Sequence, residues 1–276
     1  MITNVRKLSH LFGHHTYGMW LAILLALAAS VSMPARAANA CRDDELQGPY
    51  GLQLVGTTTI SPVETPTATL ARIVFDNGSV SGNSSVNFNG LLLGNPVTGT
   101  YAIKPDCTMS LSLQDDSGAF QHFSGVVTPG GNRVEVRQTD PGTGGRGLMR
   151  RTADACTITD ICEKYTLTLS GVYTPLAPDG VSGTIAANVM IDMDAKGSFK
   201  LTRRVMLIGN STDITTTGTY EVDADCIVRL EITLPGGNGE APIPMKLRGI
   251  LVNGGQEILA IQTDPAAVVS GRFTAR

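Results

Sequence analysis

An amide and a carboxylate recur in the motif Q-T-D-P, which occurs twice in the chain. The copies are Gln138-Thr139-Asp140-Pro141 and Gln262-Thr263-Asp264-Pro265. Two interpretations fit. The amide and carboxylate could hydrogen-bond the polar end of a ligand at the mouth of a β-barrel. Alternatively, Asp-Pro starts a turn while Gln satisfies backbone groups at the rim.

The parity of the preceding strand predicts that these side chains point inward. Gln138 and Asp140 share the parity of the apolar positions Val134 and Val136. Nearby tyrosines could add a hydroxyl in each copy. The predicted ligand-binding residues of the two copies are therefore Gln138, Asp140 and Tyr101, and Gln262, Asp264 and Tyr220.

Arg203 is a candidate present in one copy only, since Ser84 stands in its place in the other. Its parity with Phe199 and Leu201 predicts an inward arginine, which would suit an anionic ligand. A β-bulge that turns it outward is the alternative, because the partner segment fixes the register weakly.

The sequence offers little for catalysis or for metal binding. His122 is the single histidine after residue 40 and is predicted to point to solvent, so no catalytic triad, metal site or cofactor is expected. The acidic pairs Asp115-Asp116, Asp192-Asp194 and Asp223-Asp225 lack the spacing of a calcium loop. They are predicted to be solvated turns.

The elements that must position these residues come from a duplication. Gly99-Thr100-Tyr101 leads to Cys107, and Gly218-Thr219-Tyr220 leads to Cys226, at an offset of 119 residues. Gly48-Pro49-Tyr50 is matched with Gly171-Val172-Tyr173. The predicted division is a signal peptide over 1–40, repeat 1 over 41–152, a linker over 153–170 and repeat 2 over 171–276.

The five cysteines indicate an oxidising compartment. Cys41 lies 66 residues before Cys107, and Cys162 lies 64 residues before Cys226. The predicted disulfides are therefore Cys41–Cys107 and Cys162–Cys226. Cys156 is left free or available for an intermolecular bond.

The start of the chain predicts export. Arg6 and Lys7 precede an apolar stretch, and small residues in A-x-A spacing follow it. Cleavage would make the protein secreted or periplasmic, with a lipoprotein anchored at Cys41 as the alternative. Removing residues 1–40 removes three of 21 basic residues and none of 24 acidic ones, leaving a net charge near −6. This charge disfavours a nucleic-acid partner.

Within each repeat the hydrophobic period is two, and turns of Gly, Pro, Asn and Asp separate the apolar runs. The predicted fold class is all-β, with two tandem eight-stranded antiparallel up-and-down barrels, and β-sandwiches as the alternative. Met109, Leu111 and Leu113 are predicted to face inward. The outward positions are polar, so no membrane-spanning segment is expected after signal cleavage.

One predicted strand differs between the copies on its outer side. Repeat 1 has Arg133, Glu135 and Arg137, where repeat 2 has Glu257, Leu259 and Ile261. A strand that is apolar on both faces is usually covered. We therefore expect this side of the second repeat to pack on the first or to mediate self-association.

The motifs G-T-Y-x-V-x-x-D-C and Q-T-D-P-G, carried best by Gly218 to Cys226 and Gln138 to Gly142, resemble those of a family of uncharacterised secreted bacterial tandem-repeat proteins. The strand count also resembles lipocalin-like barrels and barrels of the allene oxide cyclase type. The first resemblance implies no activity, and the second is an analogy of fold.

The sequence thus predicts a non-enzymatic barrel that binds a small apolar ligand or serves in a structural or surface interaction. The alternative is a cofactor-free isomerase or cyclase that works in the barrel lumen, with Gln138, Asp140 and Tyr101 or their copies at the site.

Overall fold

The computed structural model describes residues 41–60, 63–173, 183–207, 210–234 and 243–276. The predicted signal peptide, residues 1–40, lies outside them. The described residues belong to one compact unit, Ala40–Arg276. No helix in this part of the chain is long and apolar enough to cross a membrane.

The chain forms two closed barrels of eight antiparallel strands each, as the alternating pattern predicts. The strands of barrel 1 are β1 Gly48–Ile60, β2 Val63–Asp76, β3 Ser79–Phe88, β4 Leu91–Ile103, β5 Thr108–Asp115, β6 Phe120–Val127, β7 Arg133–Gln138 and β8 Arg146–Arg151. Those of barrel 2 are β9 Lys164–Tyr173, β10 Gly183–Met193, β11 Ser198–Leu207, β12 Asn210–Val222, β13 Ile227–Leu234, β14 Ile243–Val252, β15 Glu257–Gln262 and β16 Ala267–Ala275.

The inward positions predicted from alternation form the cores of the barrels. Met109, Leu111 and Leu113 on β5 are buried inside barrel 1. Their counterparts Val228, Leu230 and Ile232 are buried inside barrel 2. The prediction is confirmed because a strand that closes a barrel must present every second side chain to the lumen.

A short N-terminal segment closes one end of barrel 1. A single 3-10 turn, Asp43–Glu45, precedes the fully buried Leu46, whose carbonyl accepts a hydrogen bond of 2.8 Å from the Tyr101 hydroxyl. Gly131 must pass close to this segment, with φ of +68°, and a Cβ there would stand 1.9 Å from the Glu45 carbonyl oxygen. Only glycine fits at this contact.

The second repeat begins earlier than predicted. Strand β9 starts at Lys164, so the C-terminal part of the predicted linker 153–170 belongs to barrel 2. Tyr165, not Tyr173, is the counterpart of Tyr50: their hydroxyls donate to the carbonyls of Gly255 and Gly131, at 2.5 and 2.7 Å. Matching the G-x-Y triplets placed the start of the repeat eight residues too late.

The same misalignment made one disulfide prediction wrong. Cys41–Cys107 is present as predicted, but Cys226 is bonded to Cys156, and Cys162 is a free thiol. Cys156 precedes Tyr165 by nine residues, as Cys41 precedes Tyr50. The separations of the bonded cysteines differ, at 66 and 70 residues, because repeat 2 is longer between them. Equal separation was therefore a misleading criterion.

The disulfide at Cys41 also bears on the lipoprotein alternative. A sulfur atom bonded to Cys107 cannot carry the thioether of a lipid anchor as well. The disulfide and an anchor at Cys41 are therefore mutually exclusive.

Barrel 1 covers the outer face of β15, where every residue is buried. Leu259 and Ile261 pack in a cluster with Ala68 and Leu70 of β2. This is the first of the two outcomes expected for the apolar strand. Self-association through the second repeat stays a prediction, and β15 offers it no exposed surface.

Polar groups inside this interface are paired. The fully buried Asn87 donates from Nδ2 to the carbonyls of Gln262 and Ala267, at 2.9 and 2.8 Å. Gln53 Nε2 donates to the carbonyls of Ala260 and Gly271, at 2.7 and 2.9 Å. Both amides therefore hold backbone groups of barrel 2 against barrel 1.

A buried carboxylate joins the barrels electrostatically. Glu257, whose side chain is 6% exposed, lies 2.8 Å from Arg150 of barrel 1 and 2.6 Å from Arg272 of barrel 2. Removing one partner of a buried ion pair leaves an uncompensated charge, which is strongly destabilising. Glu257 therefore depends on the docking of the two barrels.

We predict that Cys162 is the only cysteine that reacts with iodoacetamide when the unreduced protein is unfolded in denaturant. Peptide mass spectrometry will locate the adduct. Cys156→Ser removes a bond that spans 70 residues and should lower the free energy of unfolding by up to about 4 kcal/mol. Cys162→Ser should leave it nearly unchanged, and an adduct on Cys156 would contradict the assignment.

We predict that Glu257→Gln lowers the free energy of unfolding by roughly 3 kcal/mol, because two arginines lose their buried partner. Urea titration measures the change. The matched control is Glu135→Gln, which removes an exposed pair with Arg133 at 3.0 Å and should cost less than about 1 kcal/mol. Equal costs for the two variants would show that the Glu257 network does not support the interface.

Candidate ligand-binding cavity

Barrel 1 contains a cavity of about 330 Å³ at the end opposite the Cys41–Cys107 disulfide. Alternate residues of β1 to β6 line it, all with inward parity. The apolar lining residues are Leu52, Leu54, Ala71, Val86, Phe88, Leu93, Val97, Leu113 and Phe123. The polar ones are Thr69, Ser84, Asn95, Asp115 and Gln121. The cavity is therefore an apolar chamber with a few polar groups.

Asp115 keeps its charge at the mouth of the cavity. Its Oδ1 accepts hydrogen bonds from the Ser117 hydroxyl at 2.6 Å and from the backbone N–H groups of Ser117 and Ala119. The hydroxyl bond lowers the pKa of Asp115 most; partial burial raises it by less, and the two backbone bonds lower it further. Among the described residues that line the cavity, none is basic.

The sequence did not identify this polar group as part of a site. Asp115 was predicted to be a solvated turn, because it is followed by a second aspartate. Its parity with Leu111 and Leu113 was the available signal. Gln121 has the same kind of signal, since it shares the parity of the buried Phe123.

The Q-T-D-P motif ends β7 and builds a turn. Asp140 Oδ2 accepts hydrogen bonds from the His122 backbone N–H at 2.8 Å and from the Gln138 amide at 3.2 Å. Asp140 Oδ1 lies 2.7 Å from Nδ1 of His122. Burial alone would raise the pKa of Asp140, but the hydrogen bonds from His122 and Gln138 outweigh it and lower the pKa.

The second copy repeats this geometry without the histidine. Asp264 Oδ2 accepts from the Lys246 backbone N–H at 2.7 Å and from the Gln262 amide at 3.0 Å. The same bonds form in both copies although the neighbouring side chain changes from His122 to Lys246. This agreement favours the structural interpretation of the motif over the ligand-binding one.

The predicted tyrosines lie at the other end of the barrels. Tyr101 is two residues from the end of β4, next to the turn that holds Cys107, and its ring packs edge-on against Phe75. Tyr220 donates to the carbonyl of Asp194. Burial raises the pKa of both tyrosines, or for Tyr101 its printed contacts alone define its role; for Tyr220 the shift is upward.

The structure therefore does not gather the residues proposed for an isomerase or cyclase. Gln138 and Asp140 stand at the open end of barrel 1, where β7 turns into β8, whereas Tyr101 is at the closed end. His122 does meet Asp140, but its side chain is 56% exposed and points away from the lumen.

Arg203 is exposed, contrary to the inward orientation that its parity predicts. No bulge is needed to explain this. The ladder between β10 and β11 ends at the Met190–Thr202 pair, so Arg203 lies beyond the closed part of barrel 2 and pairs only with Ile214 of β12.

We predict that Asp140→Asn lowers the free energy of unfolding by roughly 1 kcal/mol near neutral pH, because it replaces charge-assisted hydrogen bonds by neutral ones. The folded-state pKa of Asp140 is depressed, so the stabilisation is present above the ordinary value of 3.8 and is lost as the pH falls below it.

Urea titrations of both proteins across this pH range will measure the difference. The control is Asp116→Asn in the exposed turn after β5, which should change little at any pH. A loss for Asp140→Asn that persists unchanged at low pH would contradict the electrostatic explanation.

No protein-family model and no curated protein matches the sequence. Similar solved structures include the vaccine antigen transferrin binding protein B from Haemophilus parasuis, with 8% identity, a TM-score of 0.32 and coverage of 83% of this chain and 75% of that one. Transferrin binding protein B from serogroup B Neisseria meningitidis gives 8%, 0.32, 84% and 77%. A protein of unknown function from the DUF3598 family of Nostoc punctiforme gives 8%, 0.25, 84% and 97%. Likenesses at such TM-scores carry no functional argument, and the family resemblance stays a prediction.

Proposed function

We propose that this protein is an exported, non-enzymatic carrier that binds a small, largely apolar molecule in the lumen of barrel 1. The observation that carries the proposal is the cavity of about 330 Å³ lined mainly by aliphatic and aromatic side chains. Its size lies at the lower end of the range for ligand pockets, about 300–1,000 Å³. A chamber of this kind gains free energy when an apolar molecule fills it.

The polar groups of the cavity narrow the class of ligand. Asp115 is ionised at the mouth, and Asn95 and Gln121 supply amides. A fatty-acid carboxylate would face this aspartate without a basic partner among the described lining residues. The ligand that fits is therefore apolar over most of its surface, with a hydroxyl, amide or amine at one end.

The rigid closed end supports a binding role. The Cys41–Cys107 disulfide, the Leu46 plug and the Tyr50 hydrogen bond fix that end, so ligand enters from the opposite one. The half-exposed Leu93 stands at this opening. A preformed chamber of this kind binds without the ordering cost of a flexible site.

Export is supported by the disulfides and by the predicted signal peptide. Two disulfides in one chain are typical of proteins that fold in an oxidising compartment. We place the carrier in the periplasm or outside the cell.

Native mass spectrometry of the protein recovered from its own exported fraction tests the proposal directly. We expect one apolar small molecule per chain, released on unfolding. A second arm titrates the protein with N-phenyl-1-naphthylamine, a neutral apolar fluorophore, and expects saturable binding at one site. No bound molecule in the first arm together with no binding in the second would overturn the proposal.

We predict that Thr69→Trp abolishes binding of N-phenyl-1-naphthylamine, because an indole at this half-buried lining position fills the cavity. The only native tryptophan is Trp20, so in the protein without residues 1–40 the new indole is the sole one. Its blue-shifted emission will show that it lies in the lumen.

The matched control is Val126→Trp, on the outer face of β6 at a position 58% exposed. It should show the emission of a solvated indole and keep the binding of the wild-type protein. Undiminished probe binding in Thr69→Trp with a buried indole would place the binding site elsewhere.

A further inference from the structure

Two arginines stand directly opposite each other on the outer face of barrel 2. Arg229 of β13 and Arg248 of β14 are partners in the ladder, so their side chains leave the sheet on the same side. Like charges placed directly opposite are destabilising. The next outer pair along the ladder, Glu231 and Lys246, is complementary, with 4.0 Å between the charged groups.

The barrel fold does not require this arginine pair. In barrel 1 the corresponding ladder partners are Ser110 and Ser124. The two arginines are therefore a feature of the second barrel alone. Their repulsion calls for something that offsets it.

The acidic groups nearby neutralise one arginine but not the other. Arg229 lies 3.0 Å from Asp223 Oδ2, and Asp223 Oδ1 already accepts the backbone N–H groups of Asp225 and Ile227. Arg248 has no acidic group within ion-pair distance and no hydrogen-bond partner among the described residues. Across β14 its other ladder partner is the apolar Ile261.

Arg248 is also half-buried. Burial lowers the pKa of its guanidinium most, and Arg229 lowers it further, while Asp223 raises it by less. A guanidinium nevertheless keeps its charge at any physiological pH. Its environment therefore favours an added negative charge.

Arg248 faces a groove between the barrels. The groove has a volume of about 230 Å³, and Arg72, Asn83 and Ser85 of barrel 1 line it together with Arg229 and Arg248. Asp223 and Asp225 line it as well; the first is paired with Arg229 and the second lies 3.8 Å from Arg72. An adjoining cleft of about 420 Å³ shares both barrel 2 arginines and adds Lys246, Glu221 and Glu231.

We propose that the groove binds a small oxyanion, a phosphate or sulfate group, with Arg248 as its principal contact and Arg229 as a second one. A guanidinium donates two parallel hydrogen bonds to such a group. The amide of Asn83 and the hydroxyl of Ser85 supply donors from the opposite wall. The proposal does not depend on the carrier function, because the groove lies outside both lumens.

The test uses the protein without residues 1–40, titrated with sodium phosphate by isothermal calorimetry at constant ionic strength. We expect saturable binding at one site and a rise in the unfolding temperature. Arg248→Met should weaken phosphate binding by roughly tenfold or more. Without phosphate the variant should be at least as stable as the wild type, because it removes the like-charge contact.

The matched control is Arg137→Met, which removes an exposed arginine from the outer face of β7 in barrel 1 and should bind phosphate like the wild type. Equal stabilisation of wild type and Arg248→Met would indicate a general effect of the salt and overturn the proposal. So would a wild type that phosphate does not stabilise, or an Arg248→Met protein that is less stable without phosphate.

A parallel titration with phenyl phosphate distinguishes the source of the anion. Tighter binding than inorganic phosphate would indicate a phosphoryl group carried on a larger molecule, which extends into the adjoining cleft. Equal or weaker binding would indicate a free inorganic anion. Both results support an oxyanion site, whereas binding of neither compound overturns it.

Discussion

The burial of β15 on both faces is the constraint on which the arrangement of the molecule depends. Its outer residues Leu259 and Ile261 would be exposed without barrel 1, and each buried aliphatic side chain is worth about 1.5–3 kcal/mol. Once the barrels are docked, every polar group at the contact must find a partner. Gln53, Asn87 and Glu257 do so, each through bonds that cross from one barrel to the other or sit at their junction.

Within each barrel, the closed end decides where a cavity can form. The segment before the first strand, a disulfide and a tyrosine hydroxyl bonded to a glycine carbonyl close the same end in both repeats. An eight-stranded barrel is just wide enough for its side chains to fill, so small changes in their size open or close a chamber. In barrel 1 the small Thr69 and Ala71 face the lumen at the other end, and the chamber lies there.

Much of the fold could be predicted from the sequence, because strict alternation fixes the inner set of every strand. The same rule predicted that β15 would be covered, since its outer positions are apolar. What failed were the inferences that used distance along the chain. Cys162 was chosen over Cys156 on equal loop length, although the register of Tyr165 against Ile191, like that of Tyr50 against Ile73, marks the true start of the repeat.

The candidate site was less predictable, for physical reasons that differ from residue to residue. Gln138 and Asp140 have the composition of a ligand site and of a turn alike, and only their bonds to His122 distinguish the two. Arg203 has inward parity, but parity carries no information about where a ladder ends. The alternation that hides these details also ties the two proposed sites together. On β2, Thr69 and Ala71 line the lumen while Leu70 and Arg72 line the groove, so one strand forms a wall of both. A ligand that shifts this strand from one side must change the other site, and the coupling is reciprocal.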